Sequence, residues 1–218
     1  MTGRVRQTSR RRLWRFADHC PQVLPIRRLR QLLLPSAVCL LPSLSACAYY
    51  NGVYNAKTEL TAGDRLARQG REAEAGSRYA AAAAKAETVL VRHPRTRWRP
   101  QALSIAARAS AFSGDCVSAN PRLVEALALP ALEPVERDRL LVAKGVCEVR
   151  EARPASALAI LEPLSVNGQA PVRPAAALWA ARAAIALGDA ERARRVLGAL
   201  DAGAAHWELA QASLGAHQ

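Results

Sequence analysis

The sequence predicts an all-α fold, and three features of the residues from Cys47 onward point to it. Alanine is very frequent, whereas aromatic residues make up only 5% of the whole chain, a composition that favours close-packed helices over sheets. β-Branched residues nowhere alternate with polar residues, as they would in a half-buried strand. A fixed spacing of small and large apolar residues also recurs along the chain. We therefore expect paired helices that pack closely around a core with few rings.

That spacing occurs four times and predicts four helical hairpins. In each copy a small residue is followed twelve positions later by an alanine, and four positions after that by a large apolar residue. Two helices approach closely only where both present small side chains, and the large residue one turn on fills the gap beside them. The four triads are Gly63, Ala75 and Tyr79; Ala107, Ala119 and Leu123; Gly145, Ala157 and Leu161; and Ala181, Ala193 and Leu197.

A turn signal separates the two helices of each hairpin. Glycine can adopt a positive φ at a helix end, and aspartate can cap the helix that follows. The turn residues are Gly70, Gly114-Asp115, Ala152-Arg153 and Gly188-Asp189. The predicted helices run over about 54–68 and 72–92, 101–112 and 116–129, 134–150 and 154–164, and 174–187 and 190–200. After Gly203, a final helix over 204–214 is expected to cover the last hairpin.

Pro121 lies inside the predicted second helix of the second hairpin. Proline is tolerated in the first turn of a helix but not in its middle. We therefore expect the regular helix to begin with Asn120 as its N-cap, and residues 115–119 to form an irregular or separate turn.

The residues before Cys47 resemble a lipoprotein signal peptide. Arg27, Arg28 and Arg30 precede a mostly apolar run that is too short to cross a bilayer as an ordinary helix. The run ends in Leu-Ser-Ala-Cys at 44–47, which resembles the lipobox of bacterial lipoproteins. This resemblance implies cleavage before Cys47 and its acylation, including palmitate. The implied organisation is a basic arm and signal over 1–46, a lipidated tether over 47–53 and a helical domain over 54–214.

The hairpin spacing resembles that of tetratricopeptide (TPR) repeats, although alanine or leucine mainly replaces the usual Trp, Leu and Tyr of the first helix. From Cys47 to about Leu200 the chain is similar to bacterial TPR lipoproteins that begin Cys-x-Tyr-Tyr-Asn followed by Tyr-Asn-Ala, here 47–51 and 54–56. It is more distantly similar to BamD-type lipoproteins of outer-membrane protein assembly. The resemblance implies a right-handed solenoid of about four TPR-like hairpins plus a C-terminal capping helix.

The net charge of +13 does not indicate a nucleic-acid partner. Nine arginines and one aspartate precede Cys47, and the remainder has 22 Lys plus Arg against 17 Asp plus Glu. A basic arm before an apolar signal is already explained by export. We expect no nucleic-acid binding.

Two cysteines of the predicted mature chain, Cys116 and Cys147, remain once Cys47 is assigned to lipid. In stacked hairpins the start of one second helix lies near the end of the next first helix, which is where these two residues fall. A disulfide in an oxidising compartment is one interpretation. Two buried free thiols are the other.

Two further groups of residues allow more than one interpretation. Tyr49, Tyr50 and Tyr54 either pack the first helix against the domain or lie at a membrane-proximal interface. The link between the first two hairpins carries four arginines that could contact an anion, or could simply be a linker whose tryptophan covers the hairpin edge. These arginines are Arg92, Arg95, Arg97 and Arg99.

No catalytic, cofactor-binding or metal-binding pattern stands out. The histidines lack ligand spacing, and there is no phosphate-binding glycine loop or nucleophile elbow. We expect a non-enzymatic scaffold that binds envelope proteins. By the sorting rule of the lipoproteins that the chain resembles, Ala48 in place of aspartate after Cys47 implies an anchor in the outer membrane, with the domain facing the periplasm. The alternative is an accessory module that binds cell-wall polymer or a small ligand and regulates an envelope enzyme.

Overall fold

A computed structural model describes residues 49–198 of the chain, with side chains from residue 52 onward. This part contains eight α-helices and no strand, which confirms the all-α prediction for it. The predicted signal, Cys47 and the predicted capping helix over 204–214 lie outside the described residues. The helices are α1 Asn55–Arg68, α2 Glu72–Arg92, α3 Arg99–Ser113, α4 Cys116–Leu127, α5 Pro134–Arg150, α6 Pro154–Asn167, α7 Arg173–Ala186 and α8 Ala190–Gly198.

Helical structure begins before α1, within the predicted tether. Tyr49–Tyr54 form a turn of π-helix that leads directly into α1. Val53 is fully buried, and a Cβ on Gly52 would lie 2.1 Å from Cγ2 of Val89 in α2. Residues 52 and 53 therefore pack against the helical domain.

The predicted irregular turn before Asn120 is wrong, because α4 runs unbroken from Cys116. Asp115 is its N-cap, and its side chain accepts a hydrogen bond from the backbone N–H of Ser118 at 3.0 Å. Pro121 lies within the helix, where proline removes one backbone hydrogen bond and costs about 3 kcal/mol. The cap and the buried Cys116 and Ala119 hold the first turn in helical form despite that local cost.

All four hairpin turns have the same hydrogen-bond pattern. Each has one residue in the left-handed region, followed by a residue that donates to the carbonyl five positions earlier, which is the Schellman arrangement. The left-handed residues are Gly70, Gly114, Ala152 and Gly188. Ala152, at φ 56°, adopts this conformation at a cost that glycine would not carry. The predicted turn positions are confirmed, and Asp115 and Asp189 cap the helices that follow two of them.

The four predicted triads form the contacts between the helices of each hairpin. All twelve residues are buried. A Cβ on Gly63 would lie 2.7 Å from the ring of Tyr79, and one on Gly145 would lie 2.5 Å from Leu161. The small residue is therefore required at these two positions, because the large residue occupies the space that a side chain would need.

Two hydrophobic clusters form the core, and α5 contributes to both. Leu140 and Cys147 belong to the cluster built from α1 to α4, whereas Val142 and Val146 belong to the cluster built with α6 to α8. Each helix packs against the next in sequence, and α1, α3, α5 and α7, the first helices of the four hairpins, also contact one another in that order. No helix in the described part is long and apolar enough to span a membrane.

Candidate functional site

The first helices of all four hairpins line one pocket of about 300 Å³, to which α2 and the segment before α7 also contribute. We call it the arginine pocket. Its charged lining is Asp64, Arg68, Glu72, Arg108, Arg139, Arg150 and Arg182. Its apolar and aromatic lining is Ala67, Ala75, Tyr79, Phe112, Val142, Pro171, Val172, Ala175, Leu178 and Trp179.

Tyr79 belongs both to the hydrophobic core and to the pocket lining. Its ring fills the space beside Gly63 and stacks on Phe112, with 5.2 Å between ring centroids. Its hydroxyl donates a hydrogen bond to Oδ1 of Asp64 at 2.9 Å. Burial of the ring raises the pKa of Tyr79 far above its usual value, and the negative charge of Asp64 acts in the same direction. Tyr79 is therefore a neutral donor that fixes the position of Asp64.

Arg108 is buried in the pocket with only long contacts to carboxylates. Its Nη2 lies 3.7 Å from Oδ2 of Asp64, and its Nη1 lies 3.5 Å from Oε1 of Glu136. Its Nε is buried and has no hydrogen-bond partner among the described residues. The side chain is only 11% exposed, so its charge is held away from water without a close anion.

Glu136 of α5 is held in its charged form. It accepts hydrogen bonds from Ser104 and, at 3.1 Å, from Arg139. Burial alone would raise the pKa of Glu136, but the nearby charge of Arg108 and these hydrogen bonds outweigh it, so that the pKa lies below its usual 4.5. Glu136 therefore contributes stability while it is ionised.

We expect Glu136→Gln to make the protein less stable in a pH-dependent way. Because the folded-state pKa is depressed, the contribution of Glu136 is complete above about pH 4.5 and is lost as the pH falls through the folded-state pKa. The variant should therefore be less stable than wild type by about 1–3 kcal/mol near neutral pH, and the difference should shrink in acid. Urea unfolding across this pH range measures it. The control is Glu133→Gln, an exposed position without an ion pair in the described part, and a difference as large for it would contradict the assignment.

Two arginines lie close to the ring of Trp179. The guanidinium of Arg182 is 4.5 Å from the ring centroid, and that of Arg150 is 5.5 Å from it, both within cation–π range. Arg182 also pairs with Glu72 of α2, so α7 is joined to the first hairpin across 110 residues. Burial lowers the pKa of Arg150, and the charge of Arg182 lowers it further, whereas Glu72 partly opposes this.

The tyrosines of the predicted membrane-proximal group are only partly described. The backbone of Tyr49 and Tyr50 lies in the π-helical turn, whereas their side chains and Cys47 lie outside the described part. Tyr54 is 48% exposed. The structure thus places one ring of this group at the surface of the domain, and the membrane-proximal interface stays a prediction.

The four arginines of the first link do not form one anion-binding cluster. Arg99 is paired with Glu125 at 2.5 Å, and the guanidinium of Arg97 lies over the ring of Trp98, 4.7 Å from its centroid. Arg92 and Arg95 are exposed and have no ion pair among the described residues. The link therefore offers at most these two arginines without a close partner.

Cys116 and Cys147 form a disulfide in the structure, with their Cα atoms 5.4 Å apart. This distance is well within the limit of about 7 Å for such a bond. The bond joins the start of α4 to the end of α5, two helices that are not partners in one hairpin. It therefore fixes the second hairpin to the third.

The arginine pocket was not predicted from the sequence, although the positions of its arginines relative to the four triads are a signal for it. Four pocket arginines fall one or five positions after the small residue of a triad: Arg68, Arg108, Arg150 and Arg182. Positions one and five residues after the small residue lie on the same face of a helix. The triads therefore indicate that these arginines share one face of the first helices.

No group of three or more His, Cys, Asp or Glu side chains in the described residues is arranged to hold a metal ion. A basic pocket with aromatic walls is suited to binding. Comparisons with protein-family models, curated proteins and solved structures find no match to this chain.

Proposed function

We propose that this protein is a non-enzymatic adaptor lipoprotein of the bacterial envelope. Lipid at Cys47 would anchor it in the outer membrane, facing the periplasm, and the helical domain would hold a segment of an envelope protein. The lipobox-like residues and the apolar run before them support the anchor. BamD-type assembly lipoproteins share this combination of anchor and repeats, which makes envelope or outer-membrane assembly the process that we favour.

We further propose that the eight helices are the core of a right-handed TPR-like solenoid of four hairpins, followed by a capping helix over 204–214. Three features support this arrangement. The four turns share one hydrogen-bond pattern, the four triads are buried, and the first helices contact one another in order. In repeat proteins of this kind, successive units stack only on their neighbours and create an extended concave binding surface.

The observation that carries the binding function is that the first helices of all four hairpins converge on one pocket. Its volume of about 300 Å³ is within the range of sites that bind small ligands, and it suits a few side chains of a peptide segment. Aromatic and arginine side chains such as Trp179, Tyr79 and Arg108 are the types that dominate protein interfaces. Protein recognition is therefore the function that the geometry supports best.

Affinity capture of the lipidated full-length chain from crosslinked membranes tests this proposal. Ala175→Trp fills the pocket from α7 without changing charge, and Val124→Trp places the same side chain on an exposed position of α4, where Val124 is 73% exposed. We expect the wild type and Val124→Trp to recover the same envelope proteins, and Ala175→Trp to lose them. Recovery of the same proteins by all three would contradict binding in the pocket, and recovery of cytoplasmic proteins alone would contradict the location.

The alternative is an accessory module that binds cell-wall polymer or a small ligand and regulates an envelope enzyme. Its polymer contact has support only from the exposed Arg92 and Arg95. Charge reversal of both residues would abolish polymer binding in that case and would leave recovery of protein partners unchanged. Arg99 is not suited to such a contact because Glu125 already pairs with it.

A further inference from the structure

The arginine pocket has more positive than negative charge. Five guanidinium groups line it, whereas the carboxylates that line or contact them are Asp64, Glu72 and Glu136. Arg68 has no ion pair among the described residues, and the only hydrogen bond from Arg150 goes to a backbone carbonyl, that of Phe112, at 3.2 Å. Two arginines on different helices thus lack a close carboxylate in the described structure.

Arg108 adds a buried cation whose contacts are too long for strong pairing. Charge-assisted hydrogen bonds between guanidinium and carboxylate groups are normally about 2.7–2.9 Å long, whereas both carboxylate contacts of Arg108 are at 3.5 Å or more. A carboxylate that enters the pocket could therefore form closer ion pairs with arginines whose present carboxylate contacts are long or missing. The pocket is complementary to an anion.

The uncharged residues of the lining indicate which chemical class of anion the pocket suits. Trp179 and Phe112 provide rings, and Val172, Ala175 and Leu178 provide an aliphatic wall. No Asn, Gln, Ser or Thr is among the lining residues in the described part. A sugar polymer needs many hydrogen-bonding partners for its hydroxyls, whereas an acidic side chain next to an apolar one needs only cations and an apolar surface.

We propose that the arginine pocket binds an acidic segment of its partner protein, in which a Glu or Asp side chain lies next to a large apolar residue. This inference rests on the adaptor function proposed above and specifies the ligand of the same pocket. The carboxylate binds between Arg68, Arg108 and Arg150, and the apolar neighbour packs on Trp179 and the aliphatic wall. Arg182 stays paired with Glu72 and holds the ring of Trp179 in place.

An array of immobilised heptapeptides tests the proposal. Every peptide has an acetylated N-terminus and an amidated C-terminus, a central Glu or Gln, and flanking residues varied among Leu, Val, Phe, Ala and Ser. The labelled full-length lipidated chain in detergent is passed over the array. We expect retention on Glu peptides with an apolar neighbour and about tenfold weaker retention on their Gln counterparts, since one charged hydrogen-bonded pair accounts for such a ratio. A set of Gln peptides with a free C-terminal carboxylate distinguishes a terminal carboxylate from an acidic side chain.

Two double variants that lose the same amount of positive charge distinguish binding in the pocket from non-specific electrostatic attraction of acidic peptides to the domain. Arg68→Gln/Arg150→Gln removes two pocket arginines, and Arg65→Gln/Arg137→Gln removes two exposed arginines of α1 and α5 that do not line the pocket. The first pair should weaken retention at least tenfold, and the second should change it by less than about twofold at physiological salt. None of the four residues belongs to the buried core, so both variants should fold, which circular dichroism checks.

Equal retention of Glu and Gln peptides, equal loss in the two double variants, or retention only through the free C-terminus would each overturn the inference. These outcomes are distinct from failure of the adaptor function. If no peptide is retained but Ala175→Trp still abolishes partner capture, the partner binds in the pocket by other chemistry. If capture also fails, the adaptor proposal itself is wrong.

Discussion

Truncation of Leu161 to alanine is expected to lower the free energy of unfolding by about 2–5 kcal/mol. Leu161 is fully buried between α5 and α6, where it lies against the backbone of Gly145. Removing its branched end leaves a cavity at the centre of the third hairpin, and the surrounding helices can close that cavity only in part. Urea unfolding followed by circular dichroism measures the loss.

The same contact predicts that the effect of Gly145→Ala on the free energy of unfolding depends on residue 161, and that its sign differs between leucine and alanine there. In the wild type the new methyl group would lie 2.5 Å from Leu161, so we expect destabilisation by about 1–3 kcal/mol from overpacking. In the Leu161→Ala background the methyl group enters the cavity, and alanine is also the better helix former, so the same substitution should stabilise.

Gly76→Ala is the matched control for this cycle. Gly76 is half-buried within α2, but a Cβ there would meet nothing within 4 Å. It should therefore stabilise the protein by about 0.5–1 kcal/mol in either background. If Gly145→Ala behaved like Gly76→Ala in the wild type, the repeat spacing would not reflect close packing.

Removal of the disulfide by Cys116→Ala/Cys147→Ala should lower the free energy of unfolding by roughly 3–4 kcal/mol. The bond closes a loop of 31 residues and restricts the unfolded chain, which is the main source of the expected effect. Alanine at both positions avoids leaving a buried free thiol or hydroxyl. Because the bond joins the second hairpin to the third, its loss should also allow these hairpins to separate more readily, which hydrogen exchange of α4 and α5 would detect.

A reductant provides the control. It should destabilise the wild type by about the same amount as the double substitution and leave the double variant unchanged. If the wild type is insensitive to reductant and contains two free thiols by alkylation, the cysteines are instead buried apolar residues of the core.

Much of the fold follows from local sequence chemistry. Three local signals predicted the helices to within a few residues at most ends: glycine and aspartate at the turns, proline at helix starts, and the small–small–large triads. They succeed because each signal acts over one or two turns of helix. Pro121 shows the limit of this reasoning. Its local cost predicted a break that tertiary contacts of Cys116 and Ala119 override.

The arginine pocket could not be predicted in the same way because it depends on contacts distant in sequence. The pair Arg182–Glu72 joins residues 110 positions apart, and nothing local to either residue indicates its partner. The first link, for which an anion contact and a plain linker were both possible, shows a related limit. Its four arginines are close in sequence, yet Arg99 and Arg97 are engaged by Glu125 and Trp98.

The central claim, that the pocket holds a partner in the envelope, is tested most directly by photocrosslinking in bacteria that make the full chain. A photoreactive phenylalanine analogue is placed at Leu178, a half-buried pocket position on α7, or at Val124, an exposed position on α4. We predict a discrete protein adduct from position 178 that disappears with Arg68→Gln/Arg150→Gln and is absent from position 124. Adducts from position 124 alone, or adducts from position 178 that are indifferent to the two arginines, would contradict the account.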